Sequence, residues 1–302
     1  MIRIDDPQKS RQTFKSFDPN VRTPSRRAPP GACDGQIHVF GPLDRFPVRP
    51  EAVFEAPTAT FAAARAMHAV LGIERCVIVQ STVYGYEHRA MLEALEVGGE
   101  AYRGVVMVNE ETTERELIAF HDAGVRGARF NFFPGVNMIS DPASFTRCVA
   151  RLAEMGWFIK VHPPTGKLGD LVALLEPLRL PVQLDHFGRP DMVQGPERDP
   201  TVGLVAELLQ RGNWWVMLSN AHRFSKTGPA MDDMVEVARK FYETAPDRCV
   251  WASDWPHPLS TETMVNDGDV IDFFYRCFPA AQEQQDILVA NPARLFQFQE
   301  AP

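Results

Sequence analysis

A single-domain α/β fold, a closed (β/α)8 barrel of the TIM type, is what three features of this 302-residue sequence predict. Eight short apolar or β-branched runs recur along the chain, and segments of helical period that stop at Gly or Pro separate most of them. The runs lack polar–apolar alternation, which means strands buried on both faces and hence a parallel sheet. The third feature is position. The polar residues suited to chemistry fall at the C-terminal ends of the runs, where such barrels keep their active sites. An open doubly wound sheet would also alternate strand and helix, but no GxGxxG or phosphate-binding glycine loop follows any early run.

The first expected strand is Cys33 to Val39. A helix from Thr58 to Leu71 stops at Gly72 and leads to the second, Cys76 to Gln80. A helix from Glu87 to Val97, ended by Gly98-Gly99, precedes Gly104 to Val108. Thr113 and Glu116 have capping-box spacing, and that helix ends at Gly124 before Val125 to Asn131. Asp141-Pro142 sets a cap before a proline in the first turn of a helix that ends at Gly156, before Trp157 to His162. Leu168 to Leu178 precedes Val182 to His186, and Val202 to Arg211 precedes Trp214 to Ser219. Met231 to Thr244 precedes the eighth run, Cys249 to Ser253. Pro256 cannot donate to a ladder and biases Trp255 away from helix, so this strand ends beside Asp254. Taken alone, Asp254 could equally cap a following helix. A helix from Ala281 to Ala290, then Asn291-Pro292, is expected to seal the ring.

Composition bounds the function. No apolar run approaches the ~18 residues of a membrane span, and no charged-then-apolar leader opens the sequence. Five cysteines, odd in number and without CxxC spacing, point to reduced, packed thiols and a cytoplasmic protein. The net charge of -8 argues against nucleic acid as a partner. Residues 1–30 hold seven Lys or Arg against three Asp, so they carry +4 and the remainder -12. This Pro-, Ser- and Arg-rich stretch reads as an extended arm, docked on its own acidic body or on a neighbouring subunit, ahead of a barrel spanning 31–302. Homo-oligomerisation is left open.

Gln36 and His38 lie two apart on the first strand, so both project to one face, and Arg129 and Asn131 do the same on the fourth. His162 ends strand five, His186 strand six and Asp254 strand eight, while Asn220 and Arg223 follow strand seven. Any one of these could be a satisfied core residue, but their convergence on one rim is hard to explain structurally. His68, His88 and His121 fall on helices or loops and are expected to be solvated; His257 is expected just behind the strand-eight aspartate. Trp214 and Trp215 read as barrel packing.

Five segments then carry a resemblance: Gly31 to Pro42, Val77 to Gln80, Gly124 to Phe132, Asp185 to Asp191 and Trp251 to Pro258. In this order they resemble the amidohydrolase superfamily (amidohydrolase-related family 2), in its branch of small-lactone hydrolases typified by 2-pyrone-4,6-dicarboxylate lactonase. Each motif alone is weak; the ordered set spans nearly the whole barrel. Two departures matter. Gln36-Ile37-His38 stands where the family usually has His-x-His, as in lactone isomerases, which however tend to lack the aspartate kept here as Asp254. His162 resembles a metal-binding position of other amidohydrolases, decarboxylases among them.

The resemblance implies opening of a carboxylate-bearing lactone, in aromatic-compound or sugar-acid catabolism. Asp254 would activate water, His186 and His38 with Gln36 would polarise the carbonyl, and Arg129, Arg189 and Arg223 would hold the carboxylate. Asn131 and His162 would complete the substrate pocket. The simpler reading of each arginine is an ion pair with a loop carboxylate. The alternatives are a metal-dependent decarboxylase of a cyclic or unsaturated acid, a lactone isomerase, or a barrel that only binds a metabolite. No cofactor is favoured; one zinc held by His38, His162 and Asp254 is the alternative. Residues 132–137 contain no Lys or Arg where the dicarboxylate branch has a second clamp, which predicts a substrate with a single acidic group unless Arg45 or Arg49 replaces it.

Overall fold

A computed structural model describes residues 16–133, 139, 141–260 and 264–299. Eight parallel strands pair in sequence order: β1 (Cys33–Ile37), β2 (Arg75–Val79), β3 (Tyr102–Val106), β4 (Val125–Asn131), β5 (Phe158–His162), β6 (Val182–Leu184), β7 (Trp214–Leu218) and β8 (Cys249–Trp251). The seam between β8 and β1 is stitched at the mouth, where His38 N–H donates to Trp255 O (2.8 Å) and Asp254 N–H to Gln36 O (3.1 Å). Lower in the seam the two strands touch so closely that a Cβ on Gly35 would stand 2.9 Å from Trp251 O, so only glycine fits. The architecture is the expected TIM-type barrel.

Helices α1 (Phe61–Leu71), α2 (Arg89–Gly98), α3 (Glu114–Asp122), α4 (Pro142–Glu154), α5 (Val172–Leu175), α6 (Pro200–Leu209), α7 (Ala221–Phe224), α8 (Asp232–Thr244) and α9 (Asp267–Cys277) ring the sheet. The signals read from sequence operate where expected. Thr113 and Glu116 form the capping box of α3, and Asp141 caps α4 ahead of Pro142. Apolar helix faces pack on the outer wall with Trp214, while Val77, Val105, Phe158, Trp215 and Met217 fill the interior. Leu295, Phe296 and Phe298 plug the N-terminal end. All five cysteines are buried free thiols. Among the described residues no helix is long and apolar enough to cross a membrane.

The differences have local causes. β6 and β8 are three residues each, because the backbone turns left-handed at His186 (φ 49°) and at Asp254 (φ 62°). The helical stretch after β5 is one 3-10 turn plus α5, shorter than Leu168 to Leu178. The closing segment does not stop at Ala290: a π-turn over Asp286–Ala290 passes into a short helix at Asn291–Leu295 that takes in Pro292. Helix α9, capped by Asn266, was not among the helices expected from the sequence. His68 and His88 are buried rather than solvated. His68 Nε2 lies 3.2 Å from Asp34 Oδ2, and His88 Nε2 accepts Met107 N–H at 3.3 Å. His121 is half-buried, taking the Trp157 indole N–H at 3.0 Å.

Candidate active site

Asp254 is the centre of the cluster at the C-terminal mouth. Its Oδ1 accepts the Gln36 amide (2.5 Å) and its Oδ2 the Asn220 amide (2.7 Å), with His38 Nε2 3.5 Å from Oδ1. The other nitrogen of His38, Nδ1, lies 2.8 Å from Val79 O. A carbonyl only accepts, so Nδ1 carries a proton and Nε2 faces the carboxylate. Burial alone would raise the Asp254 carboxyl. The hydrogen bonds it accepts and the nearby Arg223 guanidinium outweigh burial, so the group is held well below the ordinary carboxylate range. Asp254 is therefore an ionised, hydrogen-bonded carboxylate.

The Asp254 carboxylate is steadied from behind by a hub that sequence reading missed. Asp34 accepts the backbone N–H of both Gln36 (3.1 Å) and Ser253 (3.0 Å), and its other oxygen takes the Ser253 hydroxyl (2.5 Å). One buried carboxylate thus ties the end of β1 to the end of β8.

His186 follows β6. Its Nδ1 lies 2.7 Å from Ser219 Oγ and 3.3 Å from Asn220 Nδ2. The Asn220 amide nitrogen can only donate, so Nδ1 accepts and the proton sits on Nε2, free to donate into the site. Burial pushes this imidazole down to about 3, so it is a neutral donor at physiological pH. His186, Arg189, Asn220 and Asp254 all hold positive φ (49°, 60°, 61° and 62°), and such backbone strain gathers at functional sites.

The cations divide into two kinds. Arg129 is committed: its Nε (3.1 Å) and Nη2 (2.9 Å) both bind Asp185 Oδ2, while the buried Lys160 Nζ stands 2.9 Å from Asp185 Oδ1. The ion pair named as the simpler reading of the arginines is thus present at Arg129. Arg189 and Arg223 are different. Arg189 donates to His162 Nε2 (3.1 Å) and Thr165 Oγ1 (2.9 Å), its Nε has no partner, and it lies over the Phe133 ring at 4.8 Å. Arg223 donates to Pro258 O (2.6 Å) and Ser260 Oγ (3.2 Å). Among the described residues neither has a carboxylate within ion-pair distance. Burial, and next the charge of Arg223, lower Arg189 to about 10, still protonated at neutral pH.

His162 sits between guanidinium groups, with Arg129 Nη2 3.0 Å from Nδ1 and Arg189 3.1 Å from Nε2. Burial and these two charges hold it well below the usual imidazole range, hence neutral. Asn131, paired in register with His162, is buried, and its Oδ1 accepts Phe133 N–H (3.2 Å) at the exit of β4. His257 is buried behind Asp254 with Nε2 3.0 Å from Asp267. Arg45 pairs with Glu93 on the outer surface, so it does not supply a clamp. Lys160 and Asp185 are further residues that sequence reading left out of the site. Lys160 stands two before His162, the same same-face spacing as Gln36 and His38, which was the signal available.

The proposed zinc ligands do not make a ligand set. Both ring nitrogens of His162 face guanidinium N–H groups, and His38 offers its Nε2 only toward Asp254. Among the described residues no group of three or more His, Cys, Asp or Glu side chains is placed to hold a metal ion.

The chain is 35% identical to a 2-pyrone-4,6-dicarboxylate hydrolase of Comamonas testosteroni, over 92% of this chain and 93% of that protein. It is 32% identical to a 4-sulfomuconolactone hydrolase of Hydrogenophaga intermedia, over 89% of each. A crystal structure of a probable 2-pyrone-4,6-dicarboxylic acid hydrolase from Acinetobacter baumannii with citric acid bound superposes with a TM-score of 0.79 at 28% identity, covering 89% of this chain and 100% of that one. The sequence model of the amidohydrolase family matches residues 33–298, and with these likenesses the chain belongs to the amidohydrolase family.

Proposed function

We propose that this enzyme hydrolyses a lactone bearing acidic groups. The observation that carries the reading is the pair of largely buried, carboxylate-free arginines, Arg189 and Arg223, in one site with an ionised Asp254. Buried cations without a compensating carboxylate are costly and call for an anion, and an anionic ester beside a carboxylate base is set up for attack by water. In the proposed reaction Asp254 takes a proton from water as its oxygen bonds to the lactone carbonyl carbon. The developing oxyanion accepts the Nε2–H of neutral His186. The ring C–O bond then breaks, and Asp254 returns the proton to the departing oxygen. His38 and Gln36 keep the carboxylate aimed.

Four cations (Arg129, Lys160, Arg189 and Arg223) meet two carboxylates (Asp185 and Asp254) at the mouth. This imbalance favours a substrate with two acidic groups over the single one expected from residues 132–137, of which 134–137 lie outside the described residues. The hydrolases similar to this chain carry dicarboxylate and sulfo-substituted lactones in their names.

The donor chemistry supports hydrolysis without a metal. The test pairs two assays on protein purified without chelator: proton and carbon dioxide release from candidate acids, and elemental analysis. Proton release without carbon dioxide, with zinc far below stoichiometric and rate unchanged by chelator, is expected. Stoichiometric zinc whose removal abolishes turnover, or carbon dioxide as product, would favour the decarboxylase alternative.

A further inference from the structure

Residues 17–25 of the arm dock on the barrel, and their seat lies against the loop after β8. Asn266, the N-cap of α9, accepts Arg22 N–H (2.8 Å) and donates to Asp18 (2.9 Å) and to Asn20 O (2.9 Å). Arg22 pairs with Asp269 (2.7 Å) and Asp272, and Ser25 donates its N–H (2.7 Å) and hydroxyl (2.6 Å) to Asp272. The backbones are so close that a Cβ on Gly268 would stand 2.1 Å from Arg22 O. Gly268 lies in an ordinary helical turn with no positive φ, so it is the arm and not the helix that requires a glycine.

Two contacts pass from this seat to the loop after β8. Phe17 packs on the ring of Trp255, the residue after Asp254, at 4.6 Å between centroids. Asp267, beside Asn266, holds His257 Nε2 at 3.0 Å. The same loop carries Pro258 and Ser260, whose oxygens hold Arg223. We propose that Phe17 to Ser25 form a positioning element of the active site: by clamping Trp255 and the first turn of α9, the arm fixes residues 254–260 and so aims both Asp254 and Arg223. The kinetic part of this inference rests on the hydrolase reading; the structural part does not.

Three variants test it: Phe17→Ala, its conservative partner Phe17→Leu, and Gly268→Ala. Alanine is by itself favourable in a helix, so a local role for Gly268 predicts no loss. A displaced clamp predicts that Phe17→Ala and Gly268→Ala each lower kcat about tenfold or more and raise KM, since sub-ångström misplacement of a base is felt in the rate. Phe17→Leu should keep most of the rate. Hydrogen exchange of the 254–260 amides is expected to quicken in both disruptive variants, and this readout needs no substrate. Quickened exchange in a protein that hydrolyses no lactone would uphold the clamp and sink the hydrolase reading. Exchange at the wild-type rate in Phe17→Ala and Gly268→Ala would overturn the clamp, whatever the kinetics.

Discussion

Asp254→Asn is expected to lower kcat by about three orders of magnitude or more while leaving product affinity nearly unchanged. The amide keeps the shape but cannot take a proton from water. The site can accommodate the new NH2 group, because Gln36 Oε1 and Asn220 Oδ1 are buried without partners and a flip of either amide supplies an acceptor. Loss of rate should therefore come without loss of fold, which a thermal melt checks. Turnover near the wild-type level in this variant would remove Asp254 from the role of base.

Arg189→Met and Arg223→Met are each expected to reduce kcat/KM by about a hundredfold or more, chiefly through KM, since each removes a charge-assisted partner of the substrate. The same changes should leave the melting temperature unaltered or raised, because each deletes a buried cation that no carboxylate compensates. Arg129→Met should do the opposite. It strips one of the two cations from buried Asp185, a loss on the order of 3–5 kcal/mol of stability. Comparing kcat/KM for a lactone dicarboxylate and its monocarboxylate analogue at one ionic strength extends the test. The dicarboxylate is expected to win in the wild type, and the margin should collapse in Arg189→Met. A wild-type preference for the monocarboxylate would restore the reading from residues 132–137 and leave Arg189 without this role.

How much of this was legible depended on whether a residue's partner lies at a fixed spacing. Strand ends, glycine stops and the capping box of α3 are local, and from them the barrel and the positions of Gln36, His38, His186 and Asp254 follow directly. What Arg129 does was not local. Its partner Asp185 lies 56 residues away, and nothing in the motif around Arg129 distinguishes a clamp from an ion pair. Arg189 and Arg223 have no such carboxylate partner among the described residues, and the clamp proposed for them rests on that property, which only the folded chain has. Asp34 was hidden for the same reason, since its role is to join β1 to β8 across 219 residues. The short β6 and β8 came from left-handed turns at His186 and Asp254, which apolar patterning does not encode. Of the arm's basic residues, Arg22 pairs with Asp269 and Asp272, partners some 250 positions away that no local spacing announces.

The most direct test of hydrolysis by an Asp254-activated water is a single turnover in heavy-oxygen water, with the product's oxygens located by mass spectrometry. One heavy oxygen in the newly formed carboxylate, and none in the same interval with Asp254→Asn, is the predicted result. A product without label, the outcome of isomerisation or of decarboxylation, would contradict it.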